Sequence, residues 1–254
     1  MALEGKKALI TGGSRGIGRA VALALAREGI HTIITYQNRE RLAQETADAI
    51  KDLGGKVTLH QVNLAYTEEI DDLFNKVQEK FGQLDIFVSN AASTTLRPLL
   101  DLPVRHWDQI MNINLRAFFY CGLRAAGLME GGGRIIALSS LGSRMCFPGY
   151  AALGVAKAGI ETLARYMAVE WADKGINVNV ICGGPIDSQA TEAFEKVVPD
   201  LNKFKAELSG KTPAGRLGCP QDLAESVVFL CRPEADWIRG QTIVVDGGFS
   251  LVSN

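Results

Sequence analysis

The sequence predicts an α/β fold in which repeated βα units surround a parallel sheet, and three observations carry that expectation. Short apolar bursts alternate with longer stretches of helical period along nearly the whole chain, the pattern of strands buried on both faces between crossover helices. A glycine-rich turn joins the first burst to the first helical stretch. The 254 residues, 47% hydrophobic and 22% charged, suffice for one well-packed domain over 1–254 and require no second core.

In chain order, a strand over Lys7–Thr11 leads into a helix over Gly16–Glu28, Thr32–Tyr36 into Arg39–Leu53, and Val57–Val62 into Glu68–Phe81. Leu84–Asn90 precedes a long helical stretch over Val104–Leu128, and Arg134–Ser139 precedes Ala151–Lys174. Asn177–Cys182 and Thr242–Val245 flank a helix over Gln221–Leu230, which makes seven strands and six helices. The rhythm breaks between Gly183 and Leu217, and a structureless stretch of about thirty residues is usually functional. Within it Phe194, Val197, Val198, Leu201, Phe204 and Leu208 recur at helical steps that Pro199 interrupts. The segment at about 184–216 therefore reads either as a broken amphipathic lid on a substrate site or as a helical pair in a subunit interface.

The 27 Lys and Arg against 28 Asp and Glu leave a formal charge of -1, without the basic excess that non-specific nucleic-acid binding relies on. Cys121, Cys146, Cys182, Cys219 and Cys231 are widely spaced and form no CxxC pair, so buried or half-buried thiols of a reducing compartment are expected. His31, His60 and His106 stand alone, and no metal site is expected. The start MALEGKKALIT reaches charge and glycine too soon for a signal peptide or a membrane span, so a cytoplasmic protein is expected.

The turn Thr11-Gly12-Gly13-Ser14-Arg15-Gly16-Ile17-Gly18 lies between the first strand and the first helix. Amides at a helix N-terminus approach a pyrophosphate closely where no Cβ intervenes, which is what glycines provide. About twenty residues on, where a carboxylate would hold the ribose of NAD, the chain reads Tyr36-Gln37-Asn38-Arg39. Arg15 and Arg39 offer guanidinium forks for a 2′-phosphate, which favours NADPH; the alternative leaves both as solvated surface charges.

With Asn90-Ala91-Ala92, Asn114, Ser139-Ser140, Lys157-Ala158-Gly159 and Val245-Asp246-Gly247-Gly248 added to that turn, essentially the whole chain resembles the short-chain dehydrogenase/reductase family. The resemblance implies a Rossmann-type, doubly wound parallel sheet of seven strands, a nicotinamide cofactor across the strand C-terminal ends, and a homotetramer. It implies that Gly12, Ser14, Arg15, Gly16, Ile17 and Gly18, with Asn38 and Arg39, serve the phosphates and the adenosine ribose. Asn90, Ala91 and Ala92 would line the adenosine side, Asn63 and Leu64 would flank the adenine, and Gly184, Ile186 and Ser188 would cradle the nicotinamide amide and pyrophosphate. Ala92 stands where the family usually has glycine, and Gly183 where it usually has proline.

The larger departure is catalytic. Most members carry Tyr-x-x-x-Lys, in which the phenol donates a proton while the lysine lowers its pKa and holds the nicotinamide ribose. Here the residue four before Lys157 is Leu153, which has no proton to give. Tyr150 stands seven before Lys157. On a helix that step returns to nearly the same face, lagging by ~20°, but lies ~10 Å along the axis instead of ~6 Å. Pro148 and Gly149 place Tyr150 at the helix entrance, free to aim its ring inward. Such a displacement suits a 2-enoyl thioester, where hydride enters C3 while charge collects on the oxygen at C1.

The Tyr-x6-Lys spacing, with the runs Asn90–Pro98, Ser139–Arg144, Gly183–Asp187, Thr212–Arg216 and Ile238–Thr242, is similar to the NADPH-dependent type III enoyl-acyl-carrier-protein reductases. This implies that Tyr150 stabilises an enolate and that Lys157 holds the ribose. Ser140 is placed either as a substrate-contacting hydroxyl or as a strand-end hydroxyl capping backbone. Asn114 either holds Lys157 through a water or satisfies helix backbone. Lys196, Lys203, Lys205 and Lys211 would meet an acidic acyl carrier protein or form a solvated face. A 3-ketoacyl or other carbonyl reductase, and a catalytically silent cofactor-binding protein, are the alternative functions.

Overall fold

Alternate residues of each strand face opposite helical layers in the computed structural model, which describes residues 3–188 and 198–252. The strands are β1 (Lys7–Ile10), β2 (His31–Tyr36), β3 (Val57–Gln61), β4 (Ile86–Ser89), β5 (Gly133–Ser140), β6 (Ile176–Gly183) and β7 (Thr242–Val245). They form one sheet in the order β3-β2-β1-β4-β5-β6-β7, and every neighbouring pair is parallel. Leu9, Ile33, Phe87, Ile135, Ala137, Val178 and Val180 pack on one face, under α3 (Thr67–Phe81), α5 (Ala117–Ala126) and α6 (Ala151–Glu170). Ala8, Ile10, Ile34, Ile86, Val88, Ile136 and Leu138 pack on the other, chiefly under α1 (Gly16–Arg27) and α8 (Pro220–Cys231). Burial on both faces explains why the strands read as nearly continuous apolar runs. The remaining α-helices among the described residues are α2 (Glu40–Asp52), α4 (Val104–Met111) and α7 (Leu201–Lys211).

The winding reverses between β1 and β4, which opens a crevice at the strand C-terminal ends. Thr11 closes its base by donating N–H to Val88 O at 3.0 Å. None of the helices among the described residues is long and apolar enough to cross a membrane.

Three expectations are corrected. The single helix over Val104–Leu128 is two helices, α4 and α5, joined by a π turn over Asn112–Arg116; the hydrophobic period runs through because a π turn widens the helix without ending it. The segment after Gly183 contains α7, which starts directly after Pro199 because Asp200 caps it, accepting from Lys203 N at 3.0 Å. Phe194, Lys196 and Val197 lie outside the described residues. Among the five cysteines, Cys146 is exposed, since it sits on the open loop before Tyr150, whereas Cys121, Cys182 and Cys231 are buried.

Candidate active site

At the nucleotide end the glycines divide the work. Gly12 and Gly16 have φ of +68° and +54°, the left-handed region that favours glycine. Gly18 lets α1 pack against the turn, since a Cβ there would lie 2.3 Å from Gly12 O. Arg15 is the N-cap of α1 in extended backbone, with no side-chain cap and no acidic residue in the first turn, so the helix end keeps amides and positive potential for an anion. Asn90 braces this turn: its Nδ2 donates to Thr11 O at 2.9 Å and Gly12 O at 3.1 Å. Thr46 donates to Ser14 O at 3.0 Å. Ala91 closes against Gly12, whose Cβ would stand 3.0 Å from Ala91 Cα, and Ala92 is exposed.

A cleft of about 310 Å³ at the C-terminal ends of β2 and β3 is lined by Gln37, Asn38, Gln61, Val62, Asn63 and Glu69. Asn38 and Arg39 are exposed at the end of β2, and Arg39 is the N-cap of α2. Asn63 donates its N–H to Glu69 Oε2 at 2.6 Å, a carboxylate that sequence reasoning passed over. Leu64 belongs with its side chain to the core, so it offers a ligand only its main chain. Ile17 packs on the core beneath the turn. This surface has no carboxylate at the end of β2, and arginines stand as the caps of α1 and α2.

Across the crevice, Gly184 approaches Asp246 so closely that a Cβ would lie 2.4 Å from Asp246 Cβ. Ile186 bridges to Gly218, and Ser188 precedes the undescribed 189–197. Lys205, one of the lysines offered to a carrier, is instead paired with Asp187 at 2.7 Å, which ties α7 to this loop.

The catalytic corner gathers at the end of β5. Tyr150 is the N-cap of α6, after Gly149 at φ +73°. Its hydroxyl lies 3.0 Å from Ser140 Oγ, and its ring meets Phe147 edge-on. Ser140 Oγ also accepts from Gly142 N at 3.1 Å, so this hydroxyl caps backbone at the strand end while it meets the phenol. Burial raises the Tyr150 pKa, while the Ser140 hydrogen bond works the other way. Lys157, 6% exposed, donates to Leu138 O at 2.7 Å. Burial pushes it down to about 8, with Cys182 and Glu161 holding it up. Cys182 itself is pushed up to about 11, chiefly by burial. Leu153, where most of the family has tyrosine, is buried among Ile110, Ala152 and Ala156.

Asn114, 2% exposed, sits inside the π turn. Its Nδ2 donates to Ile110 O at 2.8 Å and Ser93 O at 2.9 Å, which ties the turn to the loop after β4. Asn114 therefore satisfies backbone, while its buried Oδ1 has no hydrogen-bond partner and remains available to a ligand or water. Sequence reasoning missed Glu161, Ser143 and Arg144; the visible signal was a carboxylate one helical turn beyond Lys157 on a face otherwise apolar.

An anion-ready glycine turn and a hydroxyl pair beside a buried lysine, on one doubly wound sheet, define a dinucleotide-dependent oxidoreductase. The family model described as "Enoyl-(Acyl carrier protein) reductase" matches residues 12–250. The chain belongs to the short-chain dehydrogenase/reductase family. It is 44% identical over 245 residues to the 1-cyclohexenylcarbonyl-CoA reductase of Streptomyces collinus, covering 96% of this chain and 87% of that protein. It is 34% identical over 254 residues to a hydroxynaphthalene reductase-like protein of Metarhizium anisopliae, covering 97% and 95%. Among solved structures, a 7α-hydroxysteroid dehydrogenase complexed with NADH and 7-oxo glycochenodeoxycholic acid matches with a TM-score of 0.90 and 31% identity, covering 97% of this chain and 94% of that one.

Proposed function

We propose that this chain is an NADPH-dependent enoyl-acyl-carrier-protein reductase, which saturates the trans-2 double bond of enoyl thioesters in fatty-acid elongation. One observation carries the reading. Tyr150 meets β5 at Ser140 while Lys157 meets it at Leu138, and buried Leu153 takes the position nearer the lysine. The two anchor points are two residues apart, about 7 Å of strand. An acid group set back from the ribose anchor suits an acceptor whose hydride-receiving carbon and charge-bearing oxygen are themselves separated.

NADPH, when bound, would supply the hydride; Lys157 would hold its ribose, and Arg15 and Arg39 its 2′-phosphate. As C3 of the enoyl chain accepts the hydride, the C2=C3 electron pair moves toward C1 and its oxygen takes up the charge. Tyr150 donates its hydrogen bond to that oxygen, oriented by Ser140. A raised pKa keeps the phenol protonated and donating. A proton from water then enters C2 and the C1 carbonyl reforms, so one hydride and one solvent proton have added across the double bond and the thioester is intact.

Support for this acceptor also comes from the Streptomyces relative, whose name specifies a conjugated acyl thioester. Exposed Lys203 and Lys211 on α7 offer cations to an acidic carrier protein. We also propose self-association through the α5 and α6 faces, where Phe119, Leu123, Tyr166 and Val169 are exposed; light scattering gives the mass directly. Mixing the protein with NADPH and crotonyl thioester on either carrier is expected to oxidise the cofactor and yield the butyryl thioester. Absence of turnover on both carriers at saturating cofactor contradicts the reading.

A carbonyl reductase is the second reading, favoured by the Ser140–Tyr150 hydroxyl pair, in which Tyr150 accepts from Ser140 and donates its own proton to a ketone oxygen. Faster reduction of acetoacetyl than of crotonyl thioester would select it.

A further inference from the structure

Behind the hydroxyl pair lies a buried carboxylate that the reaction as derived does not use. Glu161 is 6% exposed on α6. Its Oε1 accepts from Ser139 Oγ at 2.7 Å and Ser143 Oγ at 2.6 Å, and its Oε2 accepts from Arg144 Nη2 at 3.2 Å and Nε at 3.4 Å. A carboxylate removed from water is costly unless its lone pairs are filled. Here every one of these donors comes from the single stretch 139–144.

Ser140 lies inside that stretch. Ties to Ser139 on one side and to Ser143 and Arg144 on the other fix where its hydroxyl stands. The corner also sets the place of the phenol ring: a Cβ on Gly142 would lie 2.3 Å from Tyr150 Cε1. A shift of the corner by a fraction of that distance therefore moves Ser140 and Tyr150 together. We propose that Glu161 is a positioning residue, which clamps the Ser139–Arg144 corner to α6 and so sets the Ser140–Tyr150 contact and the charge facing Lys157. The proposal rests on the role given above to Tyr150, Ser140 and Lys157.

Among the described residues, the titratable groups that face Lys157 are Glu161 from its own helix and Cys182 from β6. Arg144 and Asp246 act in turn on Cys182, and Cys182 also acts on Tyr150. β5 contributes the neutral Leu138 carbonyl. The Glu161 carboxylate supports the ammonium of Lys157 against burial, so its loss moves the lysine further down.

The test follows NADPH affinity by cofactor fluorescence across pH, together with kcat on crotonyl thioester. Wild-type affinity is expected to weaken as pH rises through the Lys157 value of about 8. In Glu161→Gln that midpoint is expected about one unit lower, with kcat down about 10-fold. The kcat effect is expected not to add to that of Ser140→Ala, because both act on one contact. Ser143→Ala keeps the charge and removes one tie, so kcat falls about fivefold with the midpoint unmoved. It carries the test if Glu161→Gln does not fold. An unmoved midpoint in Glu161→Gln, full additivity with Ser140→Ala, or wild-type kcat in Ser143→Ala overturns the proposal. The midpoint comes from cofactor binding alone, so it can be read even if no enoyl thioester is turned over.

Discussion

The two ends of the crevice are built differently. At the nucleotide end, geometry is set first by backbone within one turn, where Gly12 and Gly16 supply positive φ and Gly18 supplies close approach to Gly12 O, while Asn90 and Thr46 brace its carbonyls from outside. At the catalytic corner, geometry is set by groups distant in sequence. Tyr150 is positioned by Ser140, Ser140's corner by Glu161, and Asn114 by Ser93 and Ile110. Local backbone sterics make the first end rigid and simple. The second depends on side-chain hydrogen bonds, so one substitution there changes chemistry with little effect on the fold.

The largest expected effect sharpens that contrast. Tyr150→Phe should lower kcat about 100- to 1000-fold while the NADPH dissociation constant stays within about twofold, measured by steady-state kinetics and cofactor fluorescence. Comparable loss of cofactor affinity would break the division. Gly18→Ala should do the reverse. Its Cβ meets main chain that cannot swing aside, so stability falls by about 2 kcal/mol and Tm by about 4–8 °C, and cofactor affinity falls with them. A calorimetric scan and a binding titration check both.

Lys157 joins the two ends, and its cost to stability fades as pH rises. Burial lowers its pKa from 10.5 to about 8, so the fold disfavours the ammonium relative to the unfolded chain. Stability from this group is absent below about pH 8 and grows as pH rises toward the unfolded value. Lys157→Met is therefore expected to raise Tm by a few degrees at neutral pH, an advantage that shrinks above that range, while weakening NADPH binding and turnover. A lower Tm at neutral pH would contradict it.

The smallest effect lies away from both ends. Asp222 accepts from Cys219 N at 2.7 Å and from Arg216 at 2.7 and 2.9 Å, and the Arg216 guanidinium holds its carboxyl well below the usual range. Asp222→Ala should cost about 1 kcal/mol by thermal unfolding and leave kcat unchanged. Stability from Asp222 is present above its unfolded value and lost as pH falls through the lowered one.

What the sequence makes legible follows the same division. The strands and their burial on two faces are written in apolar runs, the phosphate turn in its glycines, and the helix-entrance place of Tyr150 in Pro148-Gly149. The π turn is not legible, because Asn114 widens the helix through contacts with Ser93 and Ile110 that no periodicity records. Nor is the start of α7, where Pro199 reads as an interruption until Asp200 is seen to cap. Glu161 shows in the sequence only as a carboxylate on an apolar face; its partners Ser139, Ser143 and Arg144 are brought to it by β5 and the turn that follows.

The central claim is that a phenol set back from Lys157 serves an oxygen remote from the carbon being reduced. Its most direct measurement is the ratio of kcat/KM for crotonyl to acetoacetyl thioester on one carrier, with NADPH, in wild type and Tyr150→Phe. A wild-type ratio above about 10, equivalent to about 1.4 kcal/mol in transition-state binding, that collapses in Tyr150→Phe is the expected result. A wild-type ratio below one, or a ratio unchanged by loss of the phenol, would contradict it.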